Sequence, residues 1–530
     1  MLSFAMLPGM ARAAGTGAIT VDGTVATRYD AYRLFSATVV DDADTDQKIA
    51  TDVTWANDAV CQAVLPVLHD VGLDSSASTA QEAAEWMNGD GHMTTALATK
   101  LARAICRSGV PSVALNAGTV AELPSGYWLI VADDDAIAQG EAGTAPIMAL
   151  VGGSAVTVKP KAATPKVAKH VLEDSTAAWQ KAADATVADD LYWRLSATVP
   201  AGLTAYDTYT VRFVDTMGAG LDPSKVAASM RVYAAAGADG GFDAVQTDKD
   251  GRAGTEPAKG WTDITAQCGV SVDGKTFTVR TGDLIATLGG ADAFTAGARV
   301  VAVYNAPLSS ACNHGIAKGN PNEVYLRYPR SPFADQSGDA GFTRTPSDDA
   351  CAYTWGLSLI KRSSSDDKPL AGAKLRIIDD RGRILTTDGS WSTDADACVT
   401  TGADGHVELS GVDAGVYTVE EVAAPKGYTA FEGKRTVTVT AEGLDVKQVA
   451  VAKPKVTVSA ESPLRVDTAD AGTGSIELSV FNTPSKEASR GFMPSTGDRT
   501  LVLVAVLAAI GVAVIVVALV IKRGGGRREK

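Results

Sequence analysis

The chain has 530 residues, of which 45% are hydrophobic and 21% charged, with a formal net charge of -14. That length exceeds what one hydrophobic core serves and implies about three or four domains, while the acidity argues against nucleic acid or an anionic membrane surface as the main partner. Its five histidines, His69, His92, His170, His314 and His406, have no metal-ligand spacing, and no nucleophile elbow or phosphate loop occurs, so the motif-bearing enzyme classes are excluded and neither cofactor nor metal is expected.

Residues 1–14 carry a short apolar stretch ending in Ala11-Arg12-Ala13 and are expected to be the remnant of a signal peptide. Residues 15–154 mix strands and helices. The stretches from Gly17 to Gly23 and from Ala26 to Phe35 alternate like strands, helical apolar spacing runs from Trp55 to Val71 and from Met93 to Ser108, and Gly126 to Val131 reads as a buried strand. The acidic run from Asp41 to Asp46 lacks the glycine and closing glutamate of a calcium loop, so it is read as a solvated loop.

From residue 155 the pattern is mainly β, over a segment expected to form one β-sandwich at 155–350 and a second at 351–485. A period of two places Val156 and Val158 on one face of their strand and Lys159 and Lys161 on the other, so Lys161 is expected to be exposed. The same period turns Lys169 inward with Val167 and Val171. It also carries the stripe Tyr209, Val211, Phe213 on to Asp215, and sets Asn322 in phase with Val324, Leu326 and Tyr328. Asn320 shares that phase and is the reserve. The second sandwich repeats the order: Leu357 and Leu359 lead to Lys361, Tyr417 and Val419 to Glu421, and Ile476, Leu478 and Val480 to Asn482.

An inward lysine, acid and asparagine at the edge of an apolar stripe have a definite chemistry. Desolvation neutralises the amine and protonates the acid, and a neutral amine held against a carboxamide carbon can displace ammonia and leave a Lys–Asn amide bond. Lys169, Asp215 and Asn322 form one such candidate set, and Lys361, Glu421 and Asn482 the other.

The six cysteines fall in sequential pairs, Cys61 with Cys106, Cys268 with Cys312, and Cys351 with Cys398. Fifteen connectivities are open to six cysteines; in an exported chain, neighbour pairing would close loops of roughly 45 residues, worth about 4 kcal/mol each in the chain-entropy model.

The last segment, 486–530, contains Met493-Pro494-Ser495-Thr496-Gly497, an uncharged apolar run at 501–521, and then Lys522, Arg523, Arg527, Arg528 and Lys530. As a helix the run reaches roughly 31 Å, enough to cross a bilayer, with the basic cluster cytoplasmic and everything before it outside. Motif, span and basic tail together resemble the cell-wall sorting signal of Gram-positive surface proteins, with Met493 where leucine is usual. The resemblance implies cleavage by a sortase between Thr496 and Gly497.

Two further stretches carry family resemblance. Tyr417-Thr-Val-Glu-Glu-Val-Ala-Ala-Pro-Lys-Gly-Tyr428, with Pro369-Leu-Ala-Gly-Ala-Lys-Leu upstream and Phe481-Asn-Thr-Pro downstream, is similar to a collagen-adhesin B-type domain of pilins. Val301-Ala-Val-Tyr-Asn-Ala and the run from Gly319 to Pro332 resemble the end of a fimbrial isopeptide-forming domain. With an opening like the N-terminal domain of pilus backbone subunits, the resemblance implies the major subunit of a sortase-assembled pilus, anchored to peptidoglycan. Its implied partners are the pilus sortase, identical subunits, minor pilins and host surface ligands. It further implies that Thr496 is joined to a lysine in a Tyr-Pro-Lys type motif of the next subunit, which Lys159-Pro160-Lys161 matches in part; Lys161 follows the proline, and Lys159 is the alternative. A wall-anchored monomeric adhesin or a basal pilin is the competing reading, since either would share the sorting signal and the clamped sandwiches.

Overall fold

The computed structural model describes residues 15–45, 47–138, 140–160, 163–248, 251–290, 294–334, 336–449 and 453–485. The signal-peptide remnant, Lys161, the sorting motif with Thr496 and Gly497, the apolar run and the basic tail all lie outside them. No helix among the described residues is long and apolar enough to cross a membrane. The fold is mainly β, and it divides into two compact units, one within Met1–Thr354 and Glu442–Pro454, the other within Trp355–Ala441 and Lys455–Lys530.

The first unit begins with an α+β portion. Its five-stranded antiparallel sheet runs in the order Lys48–Trp55, Arg28–Asp41, Gly126–Ala132, Ile147–Val151, with Val113–Asn116 also pairing to Arg28–Asp41. Three helices, α1 (Asp58–Asp70), α2 (Ala80–Asn88) and α3 (Thr95–Arg107), cover one face. Each starts where a polar side chain satisfies an otherwise unpaired backbone N–H: Asn57 accepts from Val60, Thr79 from Glu82 and Thr94 from Leu97. Val60, Val64 and Leu68 of α1 and Leu101 and Ile105 of α3 then bury their stripe against Phe35 and Leu129. Helix α2 goes beyond the two helices that apolar spacing suggests, and its Thr79–Glu82 capping box is the sequence signal for it.

The rest of the first unit is a sandwich. One sheet has the order Ala178–Gln180, Lys166–Glu173, Tyr192–Val199, Ala298–Asn305, Arg231–Ala236, Thr262–Asp263. The other has Ala182–Asp184, Asp348–Tyr353, Asn320–Pro329, Arg212–Met217, Thr276–Arg280, Gly269–Asp273, with Phe342–Arg344 off its path. Trp193, Leu195, Phe213, Phe277, Val300 and Leu326 fill the space between them.

The second unit has a five-stranded sheet in which Trp355–Ser363 lies between His406–Val412 and Ser475–Pro484. Its other sheet is built on Lys374–Ile378, Gly415–Ala423 and Lys434–Glu442. The first and last strands of this unit pair in parallel, with Lys361 opposite Val480 and Ser363 opposite Asn482. Parallel neighbours need a long crossover between them, and here the other strands of the unit supply it.

Candidate functional site

Two buried clusters collect the six residues that the alternation turns inward. In the first unit Lys169 comes from the strand Lys166–Glu173, where it stands opposite Leu195. Asp215 and Asn322 come from two adjacent strands of the facing sheet, Arg212–Met217 and Asn320–Pro329. All three are fully buried.

The Lys169 ammonium contacts Asp215 Oδ2 directly and donates to the Tyr304 hydroxyl at 2.8 Å. Tyr304 in turn donates to Asp215 Oδ2 at 3.0 Å and accepts from Asn322 Nδ2 at 2.8 Å. The remaining oxygens, Asp215 Oδ1 and Asn322 Oδ1, are buried without a hydrogen-bond partner. Burial is the largest influence on each ionisable group: it lowers the Lys169 amine to about 8 against the opposing pull of Asp215, and it raises the Asp215 carboxyl against the pull of Lys169. Both shifts favour the uncharged pair, an amine beside a carboxylic acid.

Tyr304 is the member that alternation alone does not single out. It continues the inward stripe Val300, Ala302 on the strand Ala298–Asn305, where an aromatic side chain reads as ordinary core. Asn320 occupies the same face as Asn322 but is otherwise engaged: its side-chain oxygen accepts from the Asn313 N–H, and its nitrogen donates to the carbonyls of Asn313 and Ala352.

In the second unit Lys361 and Asn482 come from the paired first and last strands and Glu421 from the facing sheet. Lys361 Nζ lies 3.1 Å from Glu421 Oε1, an ion-pair contact between two buried side chains. Asn482 Nδ2 donates to the same Oε1 at 2.7 Å, while Oε2 accepts from the Phe431 N–H at 3.0 Å. The Phe431 ring centroid is 5.1 Å from Lys361 Nζ. Burial lowers the Lys361 amine to about 8, with Glu421 opposing. Each cluster therefore gathers a nucleophile, an acid and a carboxamide in a buried core.

Residues 356–454 match the family model for SpaA, described as a prealbumin-like fold domain. That stretch is similar to a SpaA domain, and its residues 356–441 lie in the second unit. A curated relative, the trypsin-resistant surface T6 protein of Streptococcus pyogenes serotype M6, is 28% identical over 120 residues, which are 21% of this chain and 20% of the relative. The matched stretch thus spans about a fifth of that protein's length. Among solved structures, the T6 backbone pilin of the same serotype aligns with a TM-score of 0.49 at 15% identity, covering 89% of this chain and 98% of that one. The full-length major pilin SpaD of Corynebacterium diphtheriae aligns with a TM-score of 0.44 at 14% identity, again covering 89% and 98%.

The other expected positions are less gathered. Lys159 is exposed and lies 3.6 Å from the Asp22 carboxylate. All six cysteines, Cys61, Cys106, Cys268, Cys312, Cys351 and Cys398, are free thiols in the structure. Cys351 is buried on the strand Asp348–Tyr353 of the first unit, whereas Cys398 belongs to the second, the SpaA-like unit, so neighbour order does not keep that pair within one unit.

Proposed function

We propose that the chain is the structural backbone subunit of a sortase-assembled pilus, polymerised head to tail and stabilised by two self-formed amide bonds, Lys169 to Asn322 and Lys361 to Asn482. The observation that carries this reading is the recurrence of one buried Lys–acid–Asn constellation in two successive sandwiches, the second of them in a SpaA-like domain. In each, neutral amine attacks carboxamide carbon and ammonia leaves, once per chain and without turnover. A partial relative named as a trypsin-resistant surface protein supports an extracellular, protease-resistant role.

Assembly rests on the sequence at the two junctions. A pilus sortase would cut between Thr496 and Gly497 and join Thr496 to Lys161 of the next subunit, giving a head-to-tail contact that cannot close and so grows as a fibre. Minor pilins would complete the fibre and peptidoglycan would anchor it outside the cell, after the apolar run at 501–521 has held the precursor in the membrane. The test is an immunoblot of boiled cell-wall extracts: a covalent ladder is expected in the unmodified protein, wall-anchored monomer in Lys161→Ala, and neither in Thr496→Ala. Monomer alone in the unmodified protein would move the chain to the class of wall-anchored adhesins.

A further inference from the structure

We infer that Tyr304 is a catalytic residue of the first cluster, carrying the proton from the attacking nitrogen to the leaving one. The inference rests on the bond-forming reading above and adds to it a residue and a step. Forming the Nζ–Cγ bond and breaking Cγ–Nδ2 requires that Lys169 Nζ, as a neutral amine, lose one proton and that Asn322 Nδ2 gain one, so that ammonia departs with the electron pair of the broken bond. The Tyr304 oxygen is 2.8 Å from each of these nitrogens. No other hydroxyl joins the two within the described hydrogen bonds.

The order of events follows from the amide itself. Before attack, Nδ2 shares its lone pair with the carbonyl and can only donate, which is how it meets Tyr304 in the structure. Once Cγ is tetrahedral, Nδ2 is an amine with a free lone pair and becomes an acceptor. The hydroxyl proton, held until then toward Asp215 Oδ2 at 3.0 Å, passes to Nδ2 while the oxygen takes one from Nζ, so Tyr304 ends as it began. The site is fully buried, with Trp193 and Phe277 packed around the pair, so the side chains in contact offer the short route for a proton. The second cluster supports the assignment by contrast: there a single carboxylate oxygen, Glu421 Oε1, approaches both Lys361 Nζ and Asn482 Nδ2, and a hydroxyl is not needed.

The test is Tyr304→Phe in the full-length chain, followed after a pulse of synthesis by peptide mass mapping of both cross-links. The ring and its packing against Phe277 are kept, so only the hydroxyl is lost. The expected result is a first bond that forms at least tenfold more slowly or not at all, a second bond formed at the normal rate, and a first unit that melts with that of Asn322→Ala, which lacks the bond for a different reason. A first bond at the normal rate would overturn the role of Tyr304 and leave the bond itself standing. Melting well below Asn322→Ala would also overturn it, because the hydroxyl would then be structural. A missing Lys169–Asn322 cross-link in the unmodified chain would instead refute the underlying reading, and the inference with it.

Discussion

The two clusters use the same residue types and reach them by different topologies. In the SpaA-like unit the lysine and asparagine are neighbours within one sheet, two rungs of a parallel pair apart in register, and the acid reaches across from the facing sheet. In the first unit the lysine stands alone on one sheet, while acid and asparagine share the other. The second arrangement spans the full sandwich, and it is there that a tyrosine fills the centre, touching all three groups. What is held constant is a polar atom between two nitrogens in a buried core, not the strand order that delivers it.

That comparison can be broken in several ways. The largest effect is expected from Asn482→Ala. Losing a link that closes a loop of roughly 120 residues removes about 5 kcal/mol in the chain-entropy model, a fall in melting temperature on the order of 20 °C for the SpaA-like unit. Calorimetry should show that transition move while the first unit's stays in place; an unchanged transition would mean that no bond ties those strands. Next, the acids should act locally. Asp215→Ala is expected to abolish only the Lys169–Asn322 cross-link and Glu421→Ala only the Lys361–Asn482 one, by mass mapping, and loss of both in either variant would show that the clusters are not independent.

A smaller effect separates free from bonded lysine. In Asn482→Ala the Lys361 amine is expected to stay free and, by its burial, lowered from the ordinary 10.5, so between its folded and unfolded values the unfolded chain binds more protons and stability rises with pH. In the bonded protein that nitrogen is an amide and contributes no such rise. Melting curves of the two proteins from pH 8 to 10.5 should therefore converge, and parallel curves would contradict a bond in the unmodified chain. Least of all, Asp348→Ala removes the acceptor of the Lys169 backbone N–H at 2.7 Å and a partner of Lys181. About 1–2 kcal/mol of the first unit's stability should be lost in denaturant titration, with both cross-links still formed.

Much of this was legible in the sequence because strand alternation is geometric. A residue two places beyond a buried valine must face the same way, and Lys169, Asp215, Asn322, Lys361, Glu421 and Asn482 are all buried as that rule requires. The rule stops at the face. It cannot choose between Asn320 and Asn322, which share one; the backbone partners around Asn320 and the Tyr304 hydroxyl beside Asn322 separate them. Nor can it report which sheets oppose each other, so the in-sheet and cross-sheet geometries look alike in one dimension. Tyr304 was hidden for the opposite reason: an aromatic side chain in an apolar stripe matches the core it is part of, and its hydroxyl acquires meaning only from three groups distant in the chain.

The parallel pairing of Trp355–Ser363 with Ser475–Pro484 has a mechanical consequence. The chain enters this unit at one end of the ladder and leaves it at the other, so tension along a fibre would load the rungs in shear, all together, instead of peeling them one by one. With Lys361 joined to Asn482 near the exit end, the load would run along the first strand, cross the amide link and leave through Thr483 and Pro484. Everything folded between those two residues would lie outside the line of force, and this unit could be stretched no further than its bonds allow.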